Sequence, residues 1–151
     1  MTTSNRRETA SCSGRVLVVD DHPQARQSMA DILRQAGHRV ECCSSGAEAL
    51  QLVEHDPPDC IVTDLKMPRL DGMGLLDHVI HEDPSIPVII ITAYGTMETA
   101  EEAIQKGAYD FITKPFNAPD LINSVNKSLE RQKHNLRLKN FVRYNTLVKR
   151  Y

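Results

Sequence analysis

Short apolar runs alternate with amphipathic stretches along this chain, at a spacing of about twenty residues. The first run, VLVV at positions 16–19, is apolar on both faces and too short for a helix, which is typical of a central strand in a parallel sheet. The stretch after Pro23 instead has apolar residues at helical spacing and ends at Gly37, a residue type that often follows a helix. The pattern therefore predicts one strand followed by one amphipathic helix.

The same alternation repeats four more times. Further strands are predicted at Arg39–Cys43, Cys60–Thr63, 88–91 and 109–113, and further helices begin near Ser45, Gly72, Glu98 and Pro119. The apolar residues of the helix at 98–106 are only Ala100, Ala103 and Ile104, so we expect this helix to be weakly anchored. Five such strand–helix units predict an α/β fold, a doubly wound five-stranded parallel sheet with helices on both faces.

The composition agrees with one globular domain and reveals an uneven distribution of charge. Of the 151 residues, 40% are hydrophobic and 25% are charged, which excludes a disordered or disulfide-rich chain. Residues 127–151 carry eight basic side chains and one acid, which leaves a net charge of −9 for residues 1–126. We therefore expect a disordered tail over 1–14, an acidic domain over 15–131 and a basic linker or helix extension over 132–151. An acidic domain favours a cation site over contact with a phosphate backbone.

The spacing of the cysteines and the hydropathy of the chain indicate the cellular compartment. Cys12, Cys42, Cys43 and Cys60 lack a metal-binding spacing, and no apolar segment has the length of a membrane span. We expect reduced thiols that fill apolar space in strands, in a cytoplasmic protein without a membrane partner. The basic residues near the C-terminus favour a solvated face, and no direct nucleic-acid contact by this chain is expected.

Polar residues follow four of the five predicted strands. Asp20 and Asp21 come after the first strand, Asp64 after the third, Thr92 after the fourth and Lys114 after the fifth. In a parallel sheet these positions meet at one edge, where ligands of this fold class bind. The three carboxylates repel one another unless a cation joins them, and a ligand set made only of oxygen suits Mg²⁺. A hydroxyl and an ammonium are the partners that phosphoryl oxygens need, so the pattern indicates a carboxylate that accepts a phosphoryl group.

Four longer motifs make this pattern specific. They are V-L-V-V-D-D at 16–21, D-L-K-M-P at 64–68 with Asp71 and Gly72, I-I-I-T-A at 89–93, and K-G-A-Y-D-F-I-T-K-P-F at 106–116. With these motifs, residues 15–130 resemble the receiver domain of two-component response regulators, which implies the flavodoxin-like fold of five βα units. The motifs around the last two strands are most similar to receivers of NtrC-like activators, which precede sigma-54-dependent ATPase and DNA-binding domains.

For the acidic residues, the resemblance implies a phosphorylation site with a metal pocket. Asp64 is expected to be the phosphoacceptor, and Asp20 and Asp21 are expected to form the pocket for Mg²⁺. The implied direct ligands are the side chains of Asp21 and Asp64 and the backbone carbonyl of Lys66. A sensor histidine kinase is the implied partner and phosphoryl donor. The expected chemistry is limited to the protein's own phosphorylation and slow dephosphorylation, so turnover of an external substrate is not expected.

The resemblance also implies a conformational switch. Thr92 is expected to bond a phosphoryl oxygen, while Lys114, joined to Pro115 by a cis bond, pairs with the phosphoryl charge. Inward movement of Thr92 would free space for Phe111, the aromatic residue three positions before the lysine, and change the surface of the fourth helix, fifth strand and fifth helix. A static core ring is the alternative for Phe111. The switch is expected to control dimerisation and a transcriptional output.

Two further expectations concern the lifetime of the phosphoryl group and the dimer. Lys66, two residues after Asp64, and Tyr94, two residues after Thr92, are expected to set the lifetime, because bulk at Tyr94 shields the acyl phosphate from water. A homodimer is expected through the switch surface or through the C-terminal helix. In that helix, a seam with interruptions is formed by Ile122, Val125, Leu129 and Leu136.

Three other functions fit the residues less well. A haloacid-dehalogenase phosphatase resembles a D-x-D pattern, whereas Asp64 is followed by Leu65 and Lys66. A flavin site needs a Ser/Thr/Gly-rich phosphate loop after the first strand, and the acid pair there repels phosphate. An interaction module with a decayed site is disfavoured because each site residue is intact. Because the ATPase motif GxxxxGK[ST] is absent, we expect either a receiver cut from a longer activator or a stand-alone regulator.

Overall fold

The computed structural model describes residues 13–148, with side chains described to residue 138 except at 136, and these residues form five strands and five helices in strict alternation. The strands are β1 (Arg15–Val19), β2 (Arg39–Cys43), β3 (Cys60–Thr63), β4 (Val88–Thr92) and β5 (Asp110–Thr113). The helices are α1 (Pro23–Gln35), α2 (Gly46–His55), α3 (Gly72–Glu82), α4 (Met97–Gln105) and α5 (Ala118–Val148). Each predicted element is present, with small shifts at the ends.

All five strands are parallel and lie in the order β2-β1-β3-β4-β5. The chain starts at β1, moves outward to β2, and then crosses to β3 on the other side of β1. The strand order therefore reverses between β1 and β3, and in such sheets this creates a crevice outside the carboxyl ends of the strands. The predicted doubly wound five-stranded parallel sheet is confirmed.

Strand side chains alternate between two hydrophobic cores, one on each face of the sheet. In β1, Leu17 and Val19 belong to the core under α2, α3 and α4, whereas Val16 and Val18 belong to the core under α1 and α5. The helices add Ala49, Val53, Leu75, Leu76, Val79 and Ala103 to the first core and Met29, Leu33, Leu121, Val125 and Leu129 to the second. Because both faces of β1, β3 and β4 are covered, these strands have an unbroken apolar sequence.

Helix α4 packs weakly against the core, as the few apolar residues in its sequence predict. Its buried residue is Ala103, while Met97 is 80% exposed and Ile104 is 49% exposed. The helix is held at its start by a capping box, in which the Thr96 and Thr99 hydroxyls each accept from the backbone N–H of the other residue. Local capping therefore supports a helix that has little packing beneath it.

Helix α5 packs on the sheet in its first half and continues well beyond that contact. Leu121, Val125 and Leu129 are each at most 1% exposed, and Gln132 is the last buried side chain described. Val125 and Leu129 therefore belong to the core of their own chain and are not available for the predicted dimer seam. The side chain of Leu136, the fourth seam residue, lies outside the described side chains.

The described chain begins with two residues that the predicted tail included. The Ser13 hydroxyl donates to the Gly37 carbonyl at 2.8 Å, and the Gly14 N–H donates to Nδ1 of His38 at 3.2 Å. These two residues are thus bonded to the domain, while residues 1–12 of the expected tail lie outside the described residues.

The cysteine prediction was correct for two residues and wrong for one. Cys43 and Cys60 are buried, and burial raises the pKa of each thiol to about 12. Cys42 is exposed on the edge strand β2, and Cys12 lies outside the described residues. None of the described helices is long and apolar enough to span a membrane.

Candidate functional site

The backbone hydrogen bonds of the sheet continue one residue past the strand ends and place the polar side chains at one edge. The Asp64 N–H donates to the Val19 carbonyl at 2.9 Å, and the Asp20 N–H donates to the Cys43 carbonyl at 3.1 Å. On the other side of the sheet, the Lys114 N–H donates to the Thr92 carbonyl at 2.8 Å. The residues that follow β1, β3 and β5 are therefore fixed by the sheet itself rather than by mobile loops.

Two of the acids and the lysine form a contact network below the surface. Asp20 is fully buried and Asp64 is 4% exposed. The Lys114 ammonium donates to Oδ2 of Asp20 at 3.0 Å and to Oδ2 of Asp64 at 3.4 Å. Burial alone lowers the pKa of Lys114, but the hydrogen bond and charge of Asp20, together with those of Asp64, outweigh it, so its pKa lies above the usual value. Lys114 is therefore a stable cation that offsets the repulsion between the two carboxylates.

The Asp64 carboxylate is held from both sides. Its Oδ1 accepts from the Leu65 N–H at 2.6 Å and lies 3.4 Å from the Lys66 N–H, while its Oδ2 faces Lys114. The loop behind it folds back so closely that a Cβ on Gly72 would overlap the Asp64 carbonyl oxygen. Asp71 caps the start of α3, because its Oδ1 accepts from the Gly74 N–H at 2.8 Å. The loop geometry thus fixes the orientation of the carboxylate.

The Asp21 carboxylate completes an acidic cluster at the mouth of the site. Asp20, Asp21, His22 and Asp64 each offer one ligand atom, and these atoms lie within 4.8 Å of one another. Oδ1 of Asp21 is shielded from solvent and has no hydrogen-bond partner among the described residues, although His22 Nδ1 lies 3.1 Å away. A shielded carboxylate oxygen without a donor fits a cation, and the carboxylates of this cluster fit Mg²⁺.

Thr92 and two larger side chains surround the site on the β4 side. Thr92 is fully buried, and its Oγ1 accepts from the Tyr94 N–H at 3.1 Å. Tyr94 is 54% exposed, and the ammonium of Lys66 lies 4.3 Å from the centroid of its ring. These two side chains therefore meet over the cleft that Asp21 and Asp71 also line.

Phe111 lies one strand farther from the acids than Thr92. Its partly buried ring packs against the first core, and a Cβ on Gly95 would lie 2.9 Å from its Cε1 atom. The ring therefore lies against the loop that joins β4 to α4. Tyr109 belongs to the opposite face, where the guanidinium of Arg131 lies 5.5 Å from its ring. The Lys114–Pro115 peptide bond is cis.

The structure thus brings Asp20, Asp64 and Lys114 into direct contact, with Asp21 beside them. Thr92 accepts a hydrogen bond from the loop that follows it, and the ring of Phe111 lies against that loop. The contacts of two further residues were not anticipated from the sequence. The Arg26 guanidinium donates to the Asp20 carbonyl at 2.8 Å, and His22 lies against both members of the acid pair. The sequence feature that could have indicated the contacts of His22 is its position directly after Asp20 and Asp21.

This arrangement defines the class of protein. Residues 16–126 match the model of the response regulator receiver domain, and the chain belongs to that family. It is a response regulator receiver of two-component signalling. Receiver domains are regulatory phosphoacceptors that bind Mg²⁺ at an acidic pocket and work with sensor histidine kinases.

Two curated relatives show where in the family the chain lies. It is 40% identical over 130 residues to the nitrogen assimilation regulatory protein NtrX of Azorhizobium caulinodans, which covers 85% of this chain and 28% of the relative. It is 36% identical over 118 residues to the C4-dicarboxylate transport transcriptional regulatory protein DctD of Rhizobium meliloti, which covers 78% of this chain and 26% of the relative. The predicted resemblance to NtrC-like regulators is confirmed. The chain spans about a quarter of the length of these relatives.

Solved structures agree with this placement. NtrX from Brucella abortus in complex with ADP superposes with a TM-score of 0.81 at 36% identity, covering 85% of this chain and 30% of that chain. A response regulator receiver domain protein from Clostridium thermocellum superposes with a TM-score of 0.75 at 33% identity, covering 79% of this chain and 96% of that chain.

Proposed function

We propose that this receiver accepts a phosphoryl group on Asp64 from a sensor histidine kinase in the cytoplasm. The observation that carries the proposal is the carboxylate of Asp64, nearly buried at the carboxyl end of β3, with Oδ2 aimed at the Lys114 ammonium. Beside it lies the solvent-shielded Oδ1 of Asp21, which accepts no hydrogen bond among the described residues. A nucleophile, a cation for the incoming charge and a metal pocket are therefore within one crevice.

The transfer step is a displacement at phosphorus. A carboxylate oxygen of Asp64 forms a bond to the phosphorus of the kinase phosphohistidine, and the phosphorus–nitrogen bond breaks. The leaving imidazole keeps the electron pair of that bond and takes a proton from solvent. Lys114 has its full charge at neutral pH and is positioned to pair with a phosphoryl oxygen after the transfer.

The metal pocket would consist of the side chains of Asp20, Asp21 and Asp64 and the backbone carbonyl of Lys66. When bound, Mg²⁺ neutralises the charge of the phosphoryl oxygens. The chain's own contribution is orientation, because the Leu65 N–H holds one oxygen of Asp64 and the sheet fixes the backbone of the acid. The solvent-shielded Oδ1 of Asp21, which accepts no hydrogen bond among the described residues, supports this assignment.

We further propose that phosphorylation switches the surface of α4, β5 and α5 through Thr92. Its hydroxyl is now the acceptor for the Tyr94 N–H, so turning it toward a phosphoryl oxygen removes that hydrogen bond and releases the β4–α4 loop. Phe111 lies against the same loop at Gly95, so a shift of the loop would change the space next to its ring. The weakly packed α4 is the element that this change reorients most easily.

The output we propose is dimerisation that controls transcription, without direct nucleic-acid contact by residues 13–148. The chemistry of this chain is then its own phosphorylation and dephosphorylation, with no external substrate. As domain limits we propose a receiver over 15–131, a basic linker or helix extension over 132–151, and a preceding tail whose last two residues, Ser13 and Gly14, are bonded to the receiver. The relatives named as transcriptional regulators support this output.

The test is intact-mass spectrometry after incubation with acetyl phosphate and Mg²⁺. We expect the wild-type chain to gain the mass of one phosphoryl group and the Asp64→Asn variant to gain none. Asp77→Asn is the matched control, because Asp77 is an exposed acid on α3 that pairs with Lys106 away from the crevice. Labelling of the control should equal that of the wild type, and omission of Mg²⁺ should prevent labelling.

Labelling of Asp64→Asn to the wild-type level would reject Asp64 as the acceptor. Absence of labelling in the wild-type chain, even with a competent histidine kinase as the donor, would reject the phosphoacceptor function and leave a receiver-shaped interaction module.

A further inference from the structure

We propose that His22 is an additional metal ligand, which lets the acidic pocket bind divalent transition-metal ions of the imidazole-binding type as well as Mg²⁺. The inference rests on the proposed function, because it uses the same cation pocket of Asp21 and Asp64. It assigns a role to a residue that the phosphorylation chemistry leaves unused, and it concerns which ions the site selects.

The backbone brings His22 to the pocket. Its N–H donates to Oδ1 of Asp20 at 2.9 Å, and the residue immediately precedes the first turn of α1. Its Nδ1 lies 3.1 Å from Oδ1 of Asp21 and 3.4 Å from Oδ1 of Asp20. Adjacent ligands of a six-coordinate ion with bonds of about 2.1 Å are about 3.0 Å apart. His22 and Asp21 therefore already have the spacing of two neighbouring ligands.

Lys114 does not compete with His22 for this position. The ammonium contacts the Oδ2 atoms of Asp20 and Asp64, whereas the imidazole faces the Oδ1 atoms of Asp20 and Asp21. The two groups thus approach the carboxylates through different oxygens. The imidazole nitrogen and the carboxylates of Asp21 and Asp64 would therefore be able to hold the same ion without displacing Lys114.

The shielded oxygen of Asp21 is the second observation that points to an ion. It is shielded from solvent and accepts no hydrogen bond among the described residues, although Nδ1 of His22 lies 3.1 Å away, and the ligand atoms of the whole cluster fall within 4.8 Å of one another. Opposite ligands of a six-coordinate ion are about 4.2 Å apart, so small side-chain rotations close the cluster around an ion. His22 is 69% exposed in its side chain, which leaves it room for such a rotation.

The addition of a nitrogen donor changes selectivity. Mg²⁺ takes oxygen ligands and keeps several waters, so it has little use for the imidazole. Ions such as Fe²⁺, Co²⁺, Ni²⁺ and Zn²⁺ bind imidazole well and bind most mixed sites more tightly than the earlier divalent metals. With His22 as a ligand, the pocket becomes a mixed oxygen and nitrogen site.

The experiment uses Co²⁺ as the probe on the full chain at constant pH. We expect proton NMR of the Co²⁺-loaded protein to show hyperfine-shifted imidazole ring resonances that disappear in His22→Gln. The matched control is His55→Gln, since His55 is an exposed histidine at the end of α2, and it should retain them. In titration calorimetry, His22→Gln should lower Co²⁺ affinity on the order of tenfold more than it lowers Mg²⁺ affinity.

Competition with Mg²⁺ and the Asp21→Asn variant distinguish the role of His22 from the existence of the metal pocket itself. Excess Mg²⁺ should remove the shifted resonances, and Asp21→Asn should weaken both ions. If Mg²⁺ binds through Asp21 but His22→Gln leaves the Co²⁺ spectrum and the affinity ratio unchanged, the role of His22 is rejected and the magnesium pocket stands. If Asp21→Asn changes the affinity of neither ion, the pocket itself is rejected.

Discussion

At the scale of single residues, Tyr94 and Lys66 contact each other beside the proposed phosphorylation site. The ammonium lies 4.3 Å from the ring centroid, so a cation–π contact joins the loop after β3 to the loop after β4. Both side chains line the open cleft that Asp21, His22 and Asp71 also line. The contact therefore links the two positions that the sequence predicts to set the phosphoryl lifetime.

We predict that Tyr94→Ala shortens the lifetime of phosphorylated Asp64. An exposed cation–π contact is worth about 0.5–1 kcal/mol, so its loss should raise the dephosphorylation rate about two- to fivefold. The measurement is the decay of the phosphorylated mass after removal of acetyl phosphate. Tyr94→Phe keeps the ring and should decay as the wild type does. Lys66→Met should match Tyr94→Ala, and equal decay in all four proteins would exclude the shield.

The positions of the site residues could be predicted from the sequence, but their contacts could not. Asp20, Asp64 and Lys114 each follow an apolar strand, and parallel strands bring such positions to one edge whatever the side chains do. The pairing of Lys66 with Tyr94 depends on side-chain rotamers and loop paths, which leave no periodic signal. Cys42 shows the same limit, because its exposure depends on β2 being an edge strand.

At the scale of elements, the loop from β3 to α3 is the part of the fold that most directly shapes the site. Gly72 donates its N–H to the Leu65 carbonyl at 2.8 Å, which brings the start of α3 against the backbone of Asp64. The sequence located this helix well, because Asp71 is a strong N-cap and apolar residues follow at helical spacing. The closeness of the loop to Asp64 is a tertiary property that the helical pattern does not contain.

We predict that Gly72→Ala destabilises the protein by about 1–3 kcal/mol, because the new Cβ overlaps the backbone at Asp64 and Leu65. Urea unfolding measures the change. The control is Gly74→Ala, where the nearest atom is Cδ1 of the Leu70 side chain, which can move aside. In this helical position alanine gains up to about 1 kcal/mol over glycine. Equal stability of Gly72→Ala and the wild type would contradict the close packing of this loop.

At the scale of the whole molecule, two exposed regions are available to a second copy. Helix α4 presents acidic side chains together with Ile104, which is 49% exposed. The distal part of α5 presents Leu138, also 49% exposed, within a basic sequence. The seam expected from the sequence placed Val125 and Leu129 at an interface, because helical spacing cannot distinguish a chain's own core from that of a dimer. The exposed face of α4 and the distal part of α5 therefore replace that seam as candidate interfaces.

We predict that phosphorylation strengthens self-association on the order of tenfold, a typical coupling between a ligand and a conformational equilibrium. Sedimentation velocity of the full chain over a concentration series, with and without acetyl phosphate and Mg²⁺, measures it. Asp64→Asn should not respond. Ile104→Glu should abolish the gain if α4 forms the interface, whereas Leu138→Glu should do so if distal α5 forms it, and neither substitution disturbs a buried contact. An unchanged association constant after full phosphorylation of the wild type would exclude dimerisation as the output of the switch.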